Sequence, residues 1–142
     1  MEKIWKPEPQ LQESLDTRVP EILTSQKSNG QFGNDPWVCG DQNVLFPLAV
    51  AWSRKGGRHE RSPRVLDAII RGGDALIEDQ DAKGMWTFRK KDHSTWGQIL
   101  MPWTYSRWIR AYSLTREAMP ADARIIVYRI VRDEPPASAM TA

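Results

Sequence analysis

The segment Leu23-Thr24-Ser25-Gln26-Lys27-Ser28-Asn29-Gly30-Gln31-Phe32 is answered 54 residues later by Ile77-Glu78-Asp79-Gln80-Asp81-Ala82-Lys83-Gly84-Met85-Trp86. Both read apolar-x-x-Gln-x-x-x-Gly-x-aromatic. After one residue of offset, Leu45-Phe46-Pro47 matches Leu100-Met101-Pro102 at a spacing of 55. A fixed period of this size marks a repeat of one supersecondary unit.

The flanks of the two segments give the unit its form. Before Gly30, Leu11, Leu15, Val19, Ile22 and Leu23 recur at spacings of three and four, the apolar face of a helix, which Pro20 should kink or split. Before Gly84, Ser62-Pro63 reads as an N-cap with proline at the first helical position. Val65, Leu66, Ile69, Ile70, Leu76 and Ile77 form the apolar face behind it. Gly72 and Gly73 lie inside this helix at about 1 kcal/mol each relative to alanine, so a close helix neighbour is expected there. Gly30 and Gly84 fall where the helices end, in the left-handed backbone that glycine tolerates, with the aromatic two residues on covering the helix end.

Second helices are expected from near Asn43 and Gln98, with Pro47 and Pro102 in their first turns. The predicted class is all-α: two helical hairpins over 9–119, then a divergent segment, 120–142. Lys55 to Arg61 reads as a solvated basic connection. Ile125-Ile126-Val127-Tyr128 and Ile130-Val131 favour a strand, and Asp133 to Ala142 reads as a disordered tail rich in Pro, Ala and Ser.

Composition narrows the classes. The 142 residues fit one domain. Lys and Arg total 20 against 18 Asp and Glu, a net charge of +2, too balanced for attachment to nucleic acid by charge alone. The longest apolar run, Leu45 to Trp52, is far short of the roughly 20 residues that span a bilayer, so no membrane partner is expected. Nothing near Met1 reads as a secretion signal, which points to the cytoplasm, or to the periplasm or exterior if the true N-terminus lies upstream. One cysteine, Cys39, cannot form an internal disulfide. His59 and His93 have no cysteine cluster beside them, so neither a metal site nor a cofactor is expected. The unusual residue is tryptophan, at seven positions.

A hairpin of some 50 residues with Gln-x-x-x-Gly-x-aromatic at its turn resembles the repeats of α/α-toroid proteins. In those folds about six hairpins close into a ring around a cavity. The resemblance covers about residues 9 to 117. The stretches Asn29 to Trp37 and Met101 to Trp108 are similar in character to cavity-lining segments of the carbohydrate-active members, the polysaccharide lyases and six-hairpin glycosidases. Terpene cyclases and prenyltransferases share the architecture, but their aspartate-rich motif and zinc ligands have no counterpart here. Six hairpins would need about 330 residues at this period. The resemblance therefore implies an incomplete toroid: a fragment, or an assembly completed by partners, with self-association through exposed hairpin faces.

Three constellations could carry chemistry. Asp35 or Asp41 near Asp92 could form the paired carboxyls of a glycosidase. Asn43, His93, Tyr105 and Arg107 match by type the needs of a uronate lyase: Asn or Arg to neutralise the carboxylate, His or Tyr to take the α-proton, Tyr to protonate the leaving oxygen. Trp37, Trp96 and Trp103, with Asp41, are candidate substrate-binding residues at the Gly-aromatic loops, where indoles can stack on sugar faces; Trp86 is placed with them. Cys39 reads as a buried structural thiol. The expected partner is an acidic oligosaccharide or polysaccharide. The alternatives are a non-catalytic helical-repeat scaffold and an isoprenoid-binding toroid.

Overall fold

The computed structural model describes residues 9–123. Its elements run α1 (Pro9–Ser25), α2 (Val38–Asp41), a 3-10 turn (Gln42–Val44), α3 (Leu45–Ser53), α4 (Pro63–Glu78), β1 (Trp86–Arg89), β2 (Thr95–Ile99), α5 (Pro102–Thr115) and a second 3-10 turn (Arg116–Ala118). The strand expected over Ile125–Val131 and the tail from Asp133 lie outside the described residues.

The all-α expectation is wrong. β1 and β2 pair antiparallel, Trp86 opposite Ile99 and Phe88 opposite Gly97, so the fold is mixed, mainly helical with a small sheet. The strands are rich in Thr, Trp, Phe and Ile, which favour extended backbone. Gln98 is therefore in a strand, and the last helix begins only at Pro102. Proline disfavours helical backbone in the residue before it, and Met101 is held at φ −115°, ψ 83°.

Pro20 does not split α1, which is continuous past it. A proline withdraws the N–H that would serve the carbonyl four residues earlier, here that of Asp16. The His59 ring nitrogen Nε2 sits 2.9 Å from that oxygen and takes the vacant place. The basic connection is accordingly not simply solvated. Arg54 pairs with the buried Asp16 and donates to Gln12 Oε1 at 2.6 Å. Arg58 pairs with Glu13, and the Arg61 guanidinium lies 4.3 Å from the centre of the Trp52 ring. These contacts fix α1 to the end of α3.

α3 is the centre of the molecule, with Leu45, Leu48, Ala49, Ala51 and Trp52 all buried. It packs most extensively on α5, then on α4 and α1. The glycine pair of α4 has the close neighbours its cost implies. A Cβ on Gly73 would stand 2.2 Å from the Trp108 ring of α5, and one on Gly72 would stand 2.7 Å from Leu45 and from Phe32.

The repeated segments share one backbone. In the first, Gly30 N–H donates to Lys27 O (3.0 Å) and Lys27 N–H to Gln31 O (2.9 Å). In the second, Gly84 donates to Asp81 O (3.0 Å) and Asp81 to Met85 O (2.9 Å). Gly30 and Gly84 have φ of 89° and 75°. The recurrence of the glutamine in both repeats is explained as well: Gln26 Nε2 donates to Gly30 O and Gln80 Nε2 to Gly84 O, both at 3.1 Å. Phe32 and Trp86 are buried under their helix ends. Trp86 Nε1 also donates to Leu76 O at 2.9 Å.

Candidate functional site

The two turns put their following loops on the same side of the molecule. After Gly30 the chain crosses to α2 through a loop organised by Asp41, whose carboxylate accepts from Gln31 Nε2 (2.7 Å) and Asp35 N–H (2.9 Å). Burial pushes the Asp41 carboxyl above its ordinary range, against the pull of those two donors. After Gly84 the β1–β2 hairpin rises beside that loop. Trp37 meets Phe88 edge-on, ring centres 4.6 Å apart, and Phe88 meets Trp96 at 5.5 Å.

Between the first loop and α5 lies a groove of about 360 Å³, lined by Trp37, Cys39, Gly40, Asn43, Met101, Trp103, Thr104 and Arg107. Four of the eight residues singled out from the sequence meet here: Trp37, Asn43, Trp103 and Arg107. Asn43 and Arg107, 64 positions apart, are joined directly, Arg107 Nη1 donating to Asn43 Oδ1 at 2.5 Å. Trp103 projects from the first turn of α5 and is 60% exposed. Trp37 stands on the opposite wall, its Nε1 buried and without a hydrogen-bond partner.

The other four candidates lie elsewhere. Asp41 holds its own loop and does not line the groove. Tyr105 turns toward the second repeat: its hydroxyl donates to Gly84 O and accepts from Gln80 Nε2 (2.8 Å), and its ring lies 5.0 Å from that of Trp86. His93 is exposed at the tip of the β-hairpin. There the turn repeats the form of the two glycine turns, with His93 N–H donating to Lys90 O and Lys90 N–H to Ser94 O, each 2.9 Å. His93 takes the glycine position, at φ 65°. Trp96 is 74% exposed on β2, with the Lys90 ammonium 4.4 Å from its ring centre. Asp92 is spent on the same turn, and hydrogen bonds from Ser94 hold its carboxyl below the usual range. No carboxyl pair therefore faces the groove.

Cys39 is only 1% exposed, and burial pushes its thiol up to about 12. A thiol that stays protonated at neutral pH is not a nucleophile.

Two residues that shape the site were not anticipated. Gln42, 2% exposed, donates to Gly30 O (3.1 Å) and Gly72 O (2.8 Å) and accepts from Phe32 N–H (2.9 Å). It ties the first turn, α4 and the groove wall together. Thr104 is buried beneath the groove, beside the Cys39 thiol. Neither was marked in the sequence, because what distinguishes both is burial, which only the packing of the helices decides.

Compared with protein-family models, curated proteins and solved structures, the chain finds no match. Among the described residues, no helix is long and apolar enough to cross a membrane.

Proposed function

We propose that this chain is a carbohydrate-binding protein that takes oligosaccharide in the groove between Trp37 and Trp103 without cleaving it. The observation that carries the reading is the meeting of two indoles with the Asn43–Arg107 pair on one concave surface. Indole faces stack on sugar C–H faces, and a few polar groups fix orientation. Binding is favoured over turnover because the proton-transfer candidates are apart from this pair: Tyr105 is engaged with Gly84 and His93 sits at a hairpin tip. General acid–base work requires the group within hydrogen-bond reach of the reacting proton.

The test is a titration of oligosaccharides followed by tryptophan fluorescence, in wild type and Trp103→Ala. A saturable change that weakens at least tenfold in the variant is expected. No saturable change in the wild type, or an unchanged response in the variant, refutes the reading. A second reading, a protein-binding scaffold, draws on Trp96 and Leu100, which are 74% and 58% exposed beside the groove.

A further inference from the structure

The exposed apolar side chains of the described residues are gathered in one part of the chain. Of seven large hydrophobic residues open to solvent, six fall between positions 96 and 114: Trp96, Ile99, Leu100, Trp103, Ile109 and Leu114. Single exposed apolar residues are ordinary, whereas a cluster marks a contact surface. Trp96 continues the aromatic row of Trp37 and Phe88, and Trp103 lines the same groove as Trp37. On α5, Trp103, Arg107, Arg110 and Leu114 recur at spacings of four, three and four, one stripe of the helix, and all four are exposed.

The charge of this surface has one sign. From His93 to Arg116 the chain has no Asp or Glu. Arg54, Arg58, Arg71, Arg89 and Arg116 are each ion-paired, but among the described residues Lys90, Lys91, Arg107 and Arg110 have no acidic partner. The Lys90 ammonium lies over the Trp96 ring, Arg107 is bonded to the neutral Asn43 amide, and the Arg110 guanidinium lies 5.9 Å from the centre of the Phe46 ring. The carboxylates of the neighbouring loops, Asp35, Asp41 and Asp92, accept hydrogen bonds within those loops.

These features choose between occupants. A second copy docked by the same face would bring two cationic surfaces together with no carboxylate to answer them. A strand added to β2 would meet an irregular edge, with a register shift in the pairing and Gly97 at φ 114°. A nucleic acid would stack on the indoles but gain little from Leu100 and Leu114. An anionic bilayer surface answers every element: indoles settle at headgroup level, aliphatic side chains enter the acyl boundary, and lysine and arginine meet charged headgroups. Crossing a bilayer needs a long apolar helix; lying on one does not.

We infer that the β2–α5 face is a peripheral membrane-docking surface. Trp96, Leu100 and Trp103 enter the interface of an anionic phospholipid bilayer, while Lys90, Lys91, Arg107 and Arg110 contact its headgroups. The inference is independent of the sugar groove, since plain phospholipid carries no glycan.

The experiment mixes the full chain with vesicles of phosphatidylcholine alone or of phosphatidylcholine with phosphatidylserine, and reads binding by co-sedimentation. Quenching of tryptophan fluorescence by lipids brominated in the acyl chain reports insertion. The variants are Lys90→Glu/Lys91→Glu and Trp96→Ser, with circular dichroism to check each fold. Lys91→Glu alone, at an exposed position, serves if the double variant misfolds. Binding to the anionic vesicles should be at least about tenfold tighter than to the neutral ones, should weaken with added salt, and should be accompanied by quenching. It should fall about tenfold or more in Lys90→Glu/Lys91→Glu, and about threefold or more in Lys91→Glu and in Trp96→Ser. No binding to either vesicle overturns the inference, as does equal binding to both that the charge variants leave unchanged. Anionic binding without quenching, and unaltered in Trp96→Ser, overturns insertion and with it the docking surface. Saturable binding of oligothymidylate or polyglutamate by a chain that ignores both vesicles reassigns the face to nucleic acid or to an acidic protein.

Discussion

The turns at Gly30 and Gly84 share sequence pattern, hydrogen bonds and φ sign, yet they sit in different surroundings. The first is buried against α4: Gln26 Nε2 also donates to Ala68 O at 2.9 Å, and Arg71 Nη2 donates to Lys27 O at 2.9 Å. A Cβ on Gly30 would stand 2.2 Å from the Arg71 carbonyl oxygen. The second is covered by a side chain, Tyr105, in place of a helix. A Cβ on Gly84 would stand 2.8 Å from the Tyr105 hydroxyl, the far end of a side chain that can turn. The same local code therefore makes the same turn twice, while its rigidity is conferred by whatever packs on it.

The sharpest way to break this comparison is to substitute both glycines. Gly30→Ala should lose roughly 3–5 kcal/mol, because backbone strain adds to a clash with main chain that cannot move alone. Gly84→Ala should lose about 1–2 kcal/mol, mostly the strain of positive φ. Urea denaturation of both variants measures the difference. Equal losses would mean that α4 does not constrain the first turn.

The side chains over the two turns give the next largest effect. Gln42→Ala strips a fully bonded buried amide and should cost about 3 kcal/mol, whereas Tyr105→Phe removes one hydroxyl at a half-buried site and should cost about 1 kcal/mol. A Tyr105→Phe variant as damaged as Gln42→Ala would reverse the ranking of the two turns. Oligosaccharide binding should survive Tyr105→Phe, since Tyr105 serves the turn and not the groove.

The loops after the turns differ in charge, and pH separates them. The folded-state pKa of Asp41 is raised by burial. Its ionisation therefore costs stability. That cost is absent below the ordinary carboxylate range and grows as pH rises through it and through the raised value. The stability of Asp41→Asn relative to wild type should accordingly improve as pH rises from about 3 through the ordinary carboxylate range and the raised value. A flat difference, or one with the opposite slope, would show that the loop carboxylate is not penalised by burial. In the hairpin after the second turn, Asp92 has the opposite sign: hydrogen bonds from Ser94 lower its pKa, so its contribution is present above the ordinary range and lost as pH falls through the lowered value.

The smallest expected effect concerns the third turn of the same form. His93→Gly relieves a left-handed backbone and should stabilise by up to about 1 kcal/mol, with ligand affinity unchanged. A loss of binding in that variant would return His93 to the site.

The helices before each turn were legible because their apolar spacing and caps are local. Ser62 caps α4 by accepting from Val65 N–H, as its position before Pro63 implied. The β-hairpin was not, because β1 and β2 are short and the repeat aligned Leu100-Met101-Pro102 with a helix start in the first half. Half of the candidate site was legible too, but by residue type and loop position alone. Trp37 and Trp103 were placed by their neighbourhood to the turns. Tyr105 and Arg107, two positions apart on one helix, were assigned a common task, yet at about 100° per residue they face different neighbours.

The sequence by itself determined the period, the glycine turns, the glutamines that brace them and the helices that enter them, since each depends on contacts within a few residues. It also implied a close partner for Gly72 and Gly73. Only the tertiary structure decided that this partner is Trp108 on one side and Leu45 with Phe32 on the other. It also decided that Asn43 meets Arg107, that His59 serves the carbonyl vacated by Pro20, and that Tyr105 covers a turn. These pairings join positions 21 to 64 residues apart, 43 to 107 and 16 to 59 among them. Their geometry follows from how helices pack around α3, which no local pattern of spacing encodes.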